Sequence, residues 1–279
     1  MSRSLPARGF SSLRHLSPWQ VFKWRRSGYI VLRGFFDESR IDEANIELDR
    51  LWDDRRTEPN PLTIDIYSDS HARKYMKDAD DGDRLHVYKL NDVYLESATV
   101  RNLALDPKLV GILKSLIDGP PMVCNSLHFE RGSEQPLHFD TFYMPPPADS
   151  RLIVTSICLE DVHPDAGPVA YVAGSQKIPP YIGVRGDRSV RNGPELDAAE
   201  EYIRSSFDLE KETATFLGQK GDVLIWHEQF LHGGSPIIDR SRTRRSIVTH
   251  YFRVTDTYRP ILGELNGGFW IQKEHAPVG

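Results

Sequence analysis

The chain has 279 residues, 39% hydrophobic and 27% charged, with 35 Lys and Arg against 40 Asp and Glu for a formal net charge of -5. That length buries a sizeable core in one large domain or two small ones, and the mild acidity offers no basic footprint for nucleic acid. Two cysteines, Cys124 and Cys158, sit in apolar runs, build neither a disulfide framework nor a zinc pattern and suit a reducing, cytoplasmic compartment; no apolar run approaches the roughly 18 residues of a membrane span.

The first 36 residues hold Arg and Lys but no acid, as transit peptides do. From Ser17, however, "SPWQVFKWRRSGYIVLRGFF" reads as a capped helix followed by a strand, which leaves residues 1–16 as a disordered tail. Residues 37–56 space Ile41, Ala44, Ile46, Leu48 and Leu51 near a 3.6-residue period and predict an amphipathic helix opened by Asp37. Residues 57–84 are polar and read as a long loop with a short helical piece, and 101–119 as a second amphipathic helix stopped by Asp118-Gly119 and two prolines. Beyond it come short β-rich runs at 121–132, 135–144, 150–162, 167–175, 213–228 and 244–254, separated by Gly, Pro, Asp and Ser. The predicted fold is mainly β, a jelly roll (double-stranded β-helix, cupin-like) with flanking α-helices from the N-terminal region, in a single domain over 17–279. Residues 181–212 interrupt it as a lid-like insertion with Arg185, Arg188 and Arg191 at its head.

The chemistry begins at "LHFDTF". If this is a strand, His138 and Asp140 share one face, about 6–7 Å apart, and can reach one cation while Phe139 points elsewhere. Downstream, "WHEQFLHGGSP" offers His227 and His232 as a third ligand. His232 precedes Gly233-Gly234, where a strand ending in a turn would face a cavity; His227, between Trp226 and Glu228, reads as packing or hydrogen bonding. Two imidazoles and a carboxylate form the facial triad of non-haem Fe(II) oxygenases, or with water a zinc hydrolase site. About ten residues later "DRSRTRRS" supplies Arg240, Arg242, Arg244 and Arg245. One guanidinium facing the cavity would pair with the far carboxylate of a dicarboxylate co-substrate, a group that a zinc hydrolase does not need.

The order H-x-D, "EDVHPDAGPVAYVAGSQK" and "GDVLIWHEQFLHGGSP" with a late arginine, together with the opening "SGYIVLRGFF", resembles the phytanoyl-CoA dioxygenase family of Fe(II)/2-oxoglutarate oxygenases over roughly residues 17–253. The resemblance implies Fe(II) held by His138, Asp140 and His232, and 2-oxoglutarate anchored by Arg244, with Arg242 next in line and Arg245 on the opposite face. It also places Asn125 near the co-substrate and lets Thr155 offer a hydroxyl, while Phe139, Phe142, Tyr143 and Trp226 serve as walls. It implies hydroxylation of an unactivated C–H bond of a small molecule, coupled to decarboxylation of 2-oxoglutarate to succinate. A carboxylate at Asp140, where related halogenases have a small residue, favours hydroxylation over halogenation. The insertion's arginines would meet an anionic group of the substrate. Ala173-Gly174-Ser175-Gln176 replaces the family's usual P-G-S-H, and this departure leaves the substrate open. Against this reading stand a zinc hydrolase or isomerase, and a binding module that keeps its metal only for structure.

Overall fold

The computed structural model describes residues 15–57, 61–67, 71–146, 151–257 and 259–273; most of the predicted tail lies outside them. Leu16 is buried in the core. Helix α1 (Pro18–Ser27) starts on a capping box in which Ser17 and Gln20 satisfy each other's backbone N–H, and it ends at Gly28 in the left-handed region. Strand β1 (Tyr29–Leu32) leads into α2 (Glu38–Asp53), which buries Ile41, Ala44 and Leu48 of the predicted stripe and part of Leu51, adds Trp52, and leaves Ile46 exposed because it falls on the opposite side of the helix. Asp37 occupies the N-cap position, but its side chain makes no capping bond.

The stretch expected as a loop with a short helical piece folds in its first part as a hairpin, β2 (Thr63–Tyr67) with β3 (His71–Tyr75), and carries short 3-10 turns at Met76–Asp78 and Asp83–Leu85, while β4 (Val87–Asn91) pairs on the other side of β2. The helix predicted over 101–119 is two helices, α3 (Ala98–Ala104) and α4 (Pro107–Ile117). Pro107 has no N–H to continue a helix, and Asp106 caps the new one through the backbone N–H groups of Lys108 and Leu109.

The β-rich remainder comprises β5 (Pro121–Phe129), β6 (Ile153–Cys158), β7 (Val169–Val172), β8 (Thr213–Phe216), β9 (Val223–His227), β10 (His232–Gly234), β11 (Ser246–Arg253), β12 (Gly263–Leu265) and β13 (Gly268–Trp270). The insertion before β8 carries α5 (Pro194–Ser206) and α6 (Leu209–Glu212). Among the described residues ten strands make the large sheet, ordered β1-β9-β6-β11-β5-β4-β2-β3 with β13 also on β5 and β12 on β13, and the small sheet is β10-β7-β8. Pairing is antiparallel except between β13 and β5, and the two sheets form the jelly roll.

Strand alternation gives the large sheet two faces with different work. Ile153, Ile157, Ile225, Ile247 and Tyr251 join the helices in the larger core. Val154, Cys158, Leu224 and Trp226 point into the jelly roll, where they meet Tyr171 of β7, Phe230 and Phe216. Trp226 and His250, on this second face, reach the candidate site. Among the described residues no helix is long and apolar enough to cross a membrane.

Candidate metal centre

His138 and Asp140 do not lie on a strand. His138 makes a single antiparallel bridge to His232, with His138 N donating to His232 O at 2.8 Å and His232 N donating to His138 O at 3.1 Å. The chain then tightens into a 3-10 turn over Asp140–Phe142. His232 begins β10 and does not end a strand. The two glycines after it have a steric role. A Cβ on Gly233 would sit 2.6 Å from Gln135 O, and one on Gly234 2.5 Å from Glu134 N. Only bare backbone lets residues 133–137 lie against β10, and that approach sets the two histidines side by side. Phe139 points away, as expected, into a cluster with Phe142, Val172, Ala199, Ile203 and Leu231.

In the result, one ligand atom from each of His138, Asp140 and His232 lies within 4.8 Å of the others, and all three residues are buried. Each imidazole is oriented by the backbone two residues before it: His138 Nδ1 bonds Pro136 O at 2.8 Å and His232 Nδ1 bonds Phe230 O at 2.9 Å. A carbonyl can only accept, so both Nδ1 atoms carry the proton and both Nε2 lone pairs are free for a metal. Burial, together with the neighbouring His232, pushes the His138 imidazole down to about 4, which keeps it neutral. Burial alone would raise Asp140, but His232, His250 and His138 outweigh it and hold the carboxyl well below the usual range. Two imidazoles whose Nδ1 atoms are held by carbonyls, together with a carboxylate, suit Fe(II) or Zn(II), and three protein ligands leave coordination positions open.

Two groups hold the carboxylate from behind. Trp226 Nε1 donates to Asp140 Oδ2 at 2.7 Å, and His250 Nε2 lies 3.3 Å from Asp140 Oδ1. Trp226 was expected as a wall and is also a donor; His250 was not anticipated. Its signal was present: His250, on β11, is six residues after Arg244, which lies in the extended run leading into that strand, and the even spacing puts both on one face. Trp226→Phe preserves the buried ring and removes the donor. It should lower metal affinity about 10–100-fold, measured by competition with a chromophoric chelator, with the melting curve little changed.

The arginines separate cleanly. Arg240 pairs with Glu134 and Arg242 with Asp239, both at the surface, while Arg245 reaches across the opposite face to Asp49 at 2.9 Å. Arg244 is 4% exposed, its guanidinium has no carboxylate or hydrogen-bond partner among the described residues, and its Nε is unsatisfied. The nearby Phe129 ring is 5.9 Å away, and burial lowers its affinity for a proton. Two residues along the same face, the buried Ser246 hydroxyl is also unsatisfied. Sequence reasoning missed Ser246, which the parity that selected Arg244 would have found.

Asn125 shares this face, opposite His250, and its amide donates to Asp92 Oδ1 at 2.9 Å. Thr155 does not. It pairs with Thr249 and Ile225 on the helix-covered face, with its Oγ1 3.5 Å from the Tyr251 hydroxyl, because residue 155 has the opposite parity to Val154, which points inward. His227 accepts from Gln229 N at 3.1 Å and packs with its ring tilted against Trp24, the packing and hydrogen-bonding role expected of it. The insertion covers the H-x-D turn through Tyr181, Val190, Ala199 and Ile203, with Val190 N bonded to Phe142 O. Its arginines are not gathered at the metal centre: Arg188 pairs with Glu228 at 2.5 Å, Arg185 bonds Ser189, and Arg191 is exposed.

A model of the phytanoyl-CoA dioxygenase family matches residues 24–246. Among solved structures, the epimerase SnoN from nogalamycin biosynthesis, in complex with Fe3+, alpha ketoglutarate and nogalamycin RO, is 20% identical with a TM-score of 0.61 over 87% of this chain and 85% of its own. EctD from S. alaskensis with 2-oxoglutarate and 5-hydroxyectoine is 16% identical, with a TM-score of 0.62 over 87% and 78%. The carbocyclase SnoK, also from nogalamycin biosynthesis, is 17% identical, with a TM-score of 0.64 over 85% and 84%. At these identities the likeness establishes the fold. No curated protein matches the sequence.

Proposed function

The chain belongs to the phytanoyl-CoA dioxygenase family, and on that premise we propose that it is an Fe(II)- and 2-oxoglutarate-dependent dioxygenase that hydroxylates an unactivated C–H bond of a small molecule. The observation that carries this reading is the buried guanidinium of Arg244, which has no carboxylate or hydrogen-bond partner among the described residues and lies two residues before β11, the strand whose His250 supports Asp140. An uncompensated buried charge is costly, and the distal carboxylate of 2-oxoglutarate is the partner that removes the cost.

In this reading His138, Asp140 and His232 hold Fe(II), Arg244 takes the far carboxylate in a bidentate pair, and the orphaned Ser246 hydroxyl donates to it. Bound there, the iron and the 2-oxo acid supply an oxidative decarboxylation to succinate and CO2 that drives attack on the C–H bond. The chain's own task is orientation and exclusion of water. The Pro136 and Phe230 carbonyls aim the imidazoles, Trp226 and His250 fix the carboxylate, and Asn125 presents an amide already held by Asp92. Residues 181–212 act as the lid, since their apolar side chains pack on the turn that carries Asp140. Asp140 fills the position that chloride would need for halogenation.

The epimerase and carbocyclase among the structural neighbours make the fate of the activated carbon the point to test. Iron-loaded protein should bind 2-oxoglutarate and form succinate slowly in air without substrate, and not under nitrogen. With a substrate found by its acceleration of succinate release, the product should gain one oxygen atom by mass spectrometry; an isomer or a dehydrogenated product would instead indicate epimerisation or ring closure. Retained turnover without oxygen would favour the zinc reading and overturn this one.

A further inference from the structure

We propose that Lys273 fixes the anionic end of the substrate, a small and otherwise apolar monocarboxylate, in a cavity beside the metal centre. This inference rests on the oxygenase reading of that centre.

The cavity holds about 240 Å³ and is walled by Met122, Met144, Phe252, Ile271 and the ring of Tyr143. It shares walls with the triad. The Tyr143 ring lies 5.2 Å from the His138 ring, and Phe252 is two residues beyond His250 on the same face of β11. Cys124, another lining residue, donates its thiol to His250 O at 3.3 Å. Methionine-rich apolar walls accept a flexible hydrocarbon body.

Lys273 is the cation of this cavity that lacks a partner. The segment that carries it is tied down: Ile271 N donates to Val123 O at 3.1 Å, and Ile271 O accepts from the Tyr94 hydroxyl at 2.6 Å. Its ammonium has neither an ion pair nor a hydrogen bond among the described residues. Burial is the main reason its affinity for a proton falls, and the nearby Lys89 and Arg73 add to it while Cys124 and Asp92 oppose it.

The facing charges are committed elsewhere. Asp65 takes Arg73 through both carboxylate oxygens and Lys89 at 3.6 Å, and Asp92 accepts from Asn125 Nδ2 and Ser126 N. Of the other charged residues lining the cavity, Arg259 is engaged within the fold and Asp256 is bound by Arg253. One spare positive charge on a single ammonium matches a carboxylate. A phosphate dianion calls for a guanidinium fork or a nest of backbone N–H groups.

The test is calorimetric titration of octanoate into the protein loaded with Fe(II) and saturated with 2-oxoglutarate under nitrogen, which fills the Arg244 site beforehand. Octanoate should bind at least about 10-fold more tightly than octanamide. Lys273→Met should erase that preference while leaving 2-oxoglutarate affinity unchanged, and Lys273→Arg should retain it. Octanoate that fails to bind, or binds Lys273→Met as tightly as the unaltered protein, overturns the proposal. Tighter binding of octyl phosphate than octanoate overturns the carboxylate assignment. Failure of 2-oxoglutarate to bind in the loading step strikes the oxygenase reading, so the two failures are read separately.

Discussion

Replacing His232 with alanine should lower iron affinity by more than about 100-fold, beyond the range that loss of an outer-sphere partner costs, and should abolish succinate formation. The reason is geometric. His232 contributes both a ligand atom and half of the bridge that sets His138 in place, but the bridge is made by backbone atoms that alanine keeps. The variant therefore retains the turn and the orientation of His138 and loses one of three ligands. Two remaining ligands cannot define a face of an octahedron. Removing the buried ring leaves a hole beside Trp226, whose ring lies 4.9 Å from it, so a modest loss of stability is expected as well. Circular dichroism unchanged in shape, with metal binding lost in a chelator competition, is the predicted pair of results. Iron retained at the original affinity would mean that the three side chains do not act as a triad.

How far the site was legible in advance depended on parity. The resemblance pointed to Arg244, and alternation carried back from β11 put Arg245 on the opposite face, where its ion pair with Asp49 lies. Thr155 failed because it was chosen from its strand without asking which face residue 155 occupies; Val154 and Trp226, paired across the sheet, mark the inward parity. The H-x-D pair converges for a reason different from the one expected. A bridge and a 3-10 turn bring its side chains together, and the glycines that permit the bridge lie nearly a hundred residues away at Gly233 and Gly234. No local pattern encodes that contact.

The β2–β3–β4 hairpin region was hidden for a related reason. Its inward face carries Asp65, Arg73 and Lys89, which neutralise one another in the interior, so the stretch has the composition of a solvated loop. The alternation of Ile64 and Ile66 on the other face was the surviving signal, and it is too short to outweigh the charges. Lys273 belongs to no motif, and only the fold brings it to the cavity.

Arg244→Met should weaken 2-oxoglutarate binding on the order of 100-fold or more, as expected when one partner of a buried charge pair is removed. In the absence of co-substrate it should leave the protein as stable as before or more so. The two effects share one cause. Arg244 is 4% exposed, with no carboxylate partner among the described residues and an unsatisfied Nε. A methionine of similar length fills that space without the desolvation penalty. An arginine with a structural role behaves in the opposite way: its loss would lower the melting temperature and leave 2-oxo acid affinity alone. The measurement is therefore a pair of melting curves, with and without saturating 2-oxoglutarate, on the metal-loaded protein. For the unaltered chain the co-substrate should raise the midpoint by mass action; for Arg244→Met that increment should nearly vanish at the same concentration. Arg244→Lys restores the charge but not the planar fork, and should recover only part of the increment. An undiminished increment in Arg244→Met would require another group to hold the co-substrate and would remove the observation on which the oxygenase assignment stands.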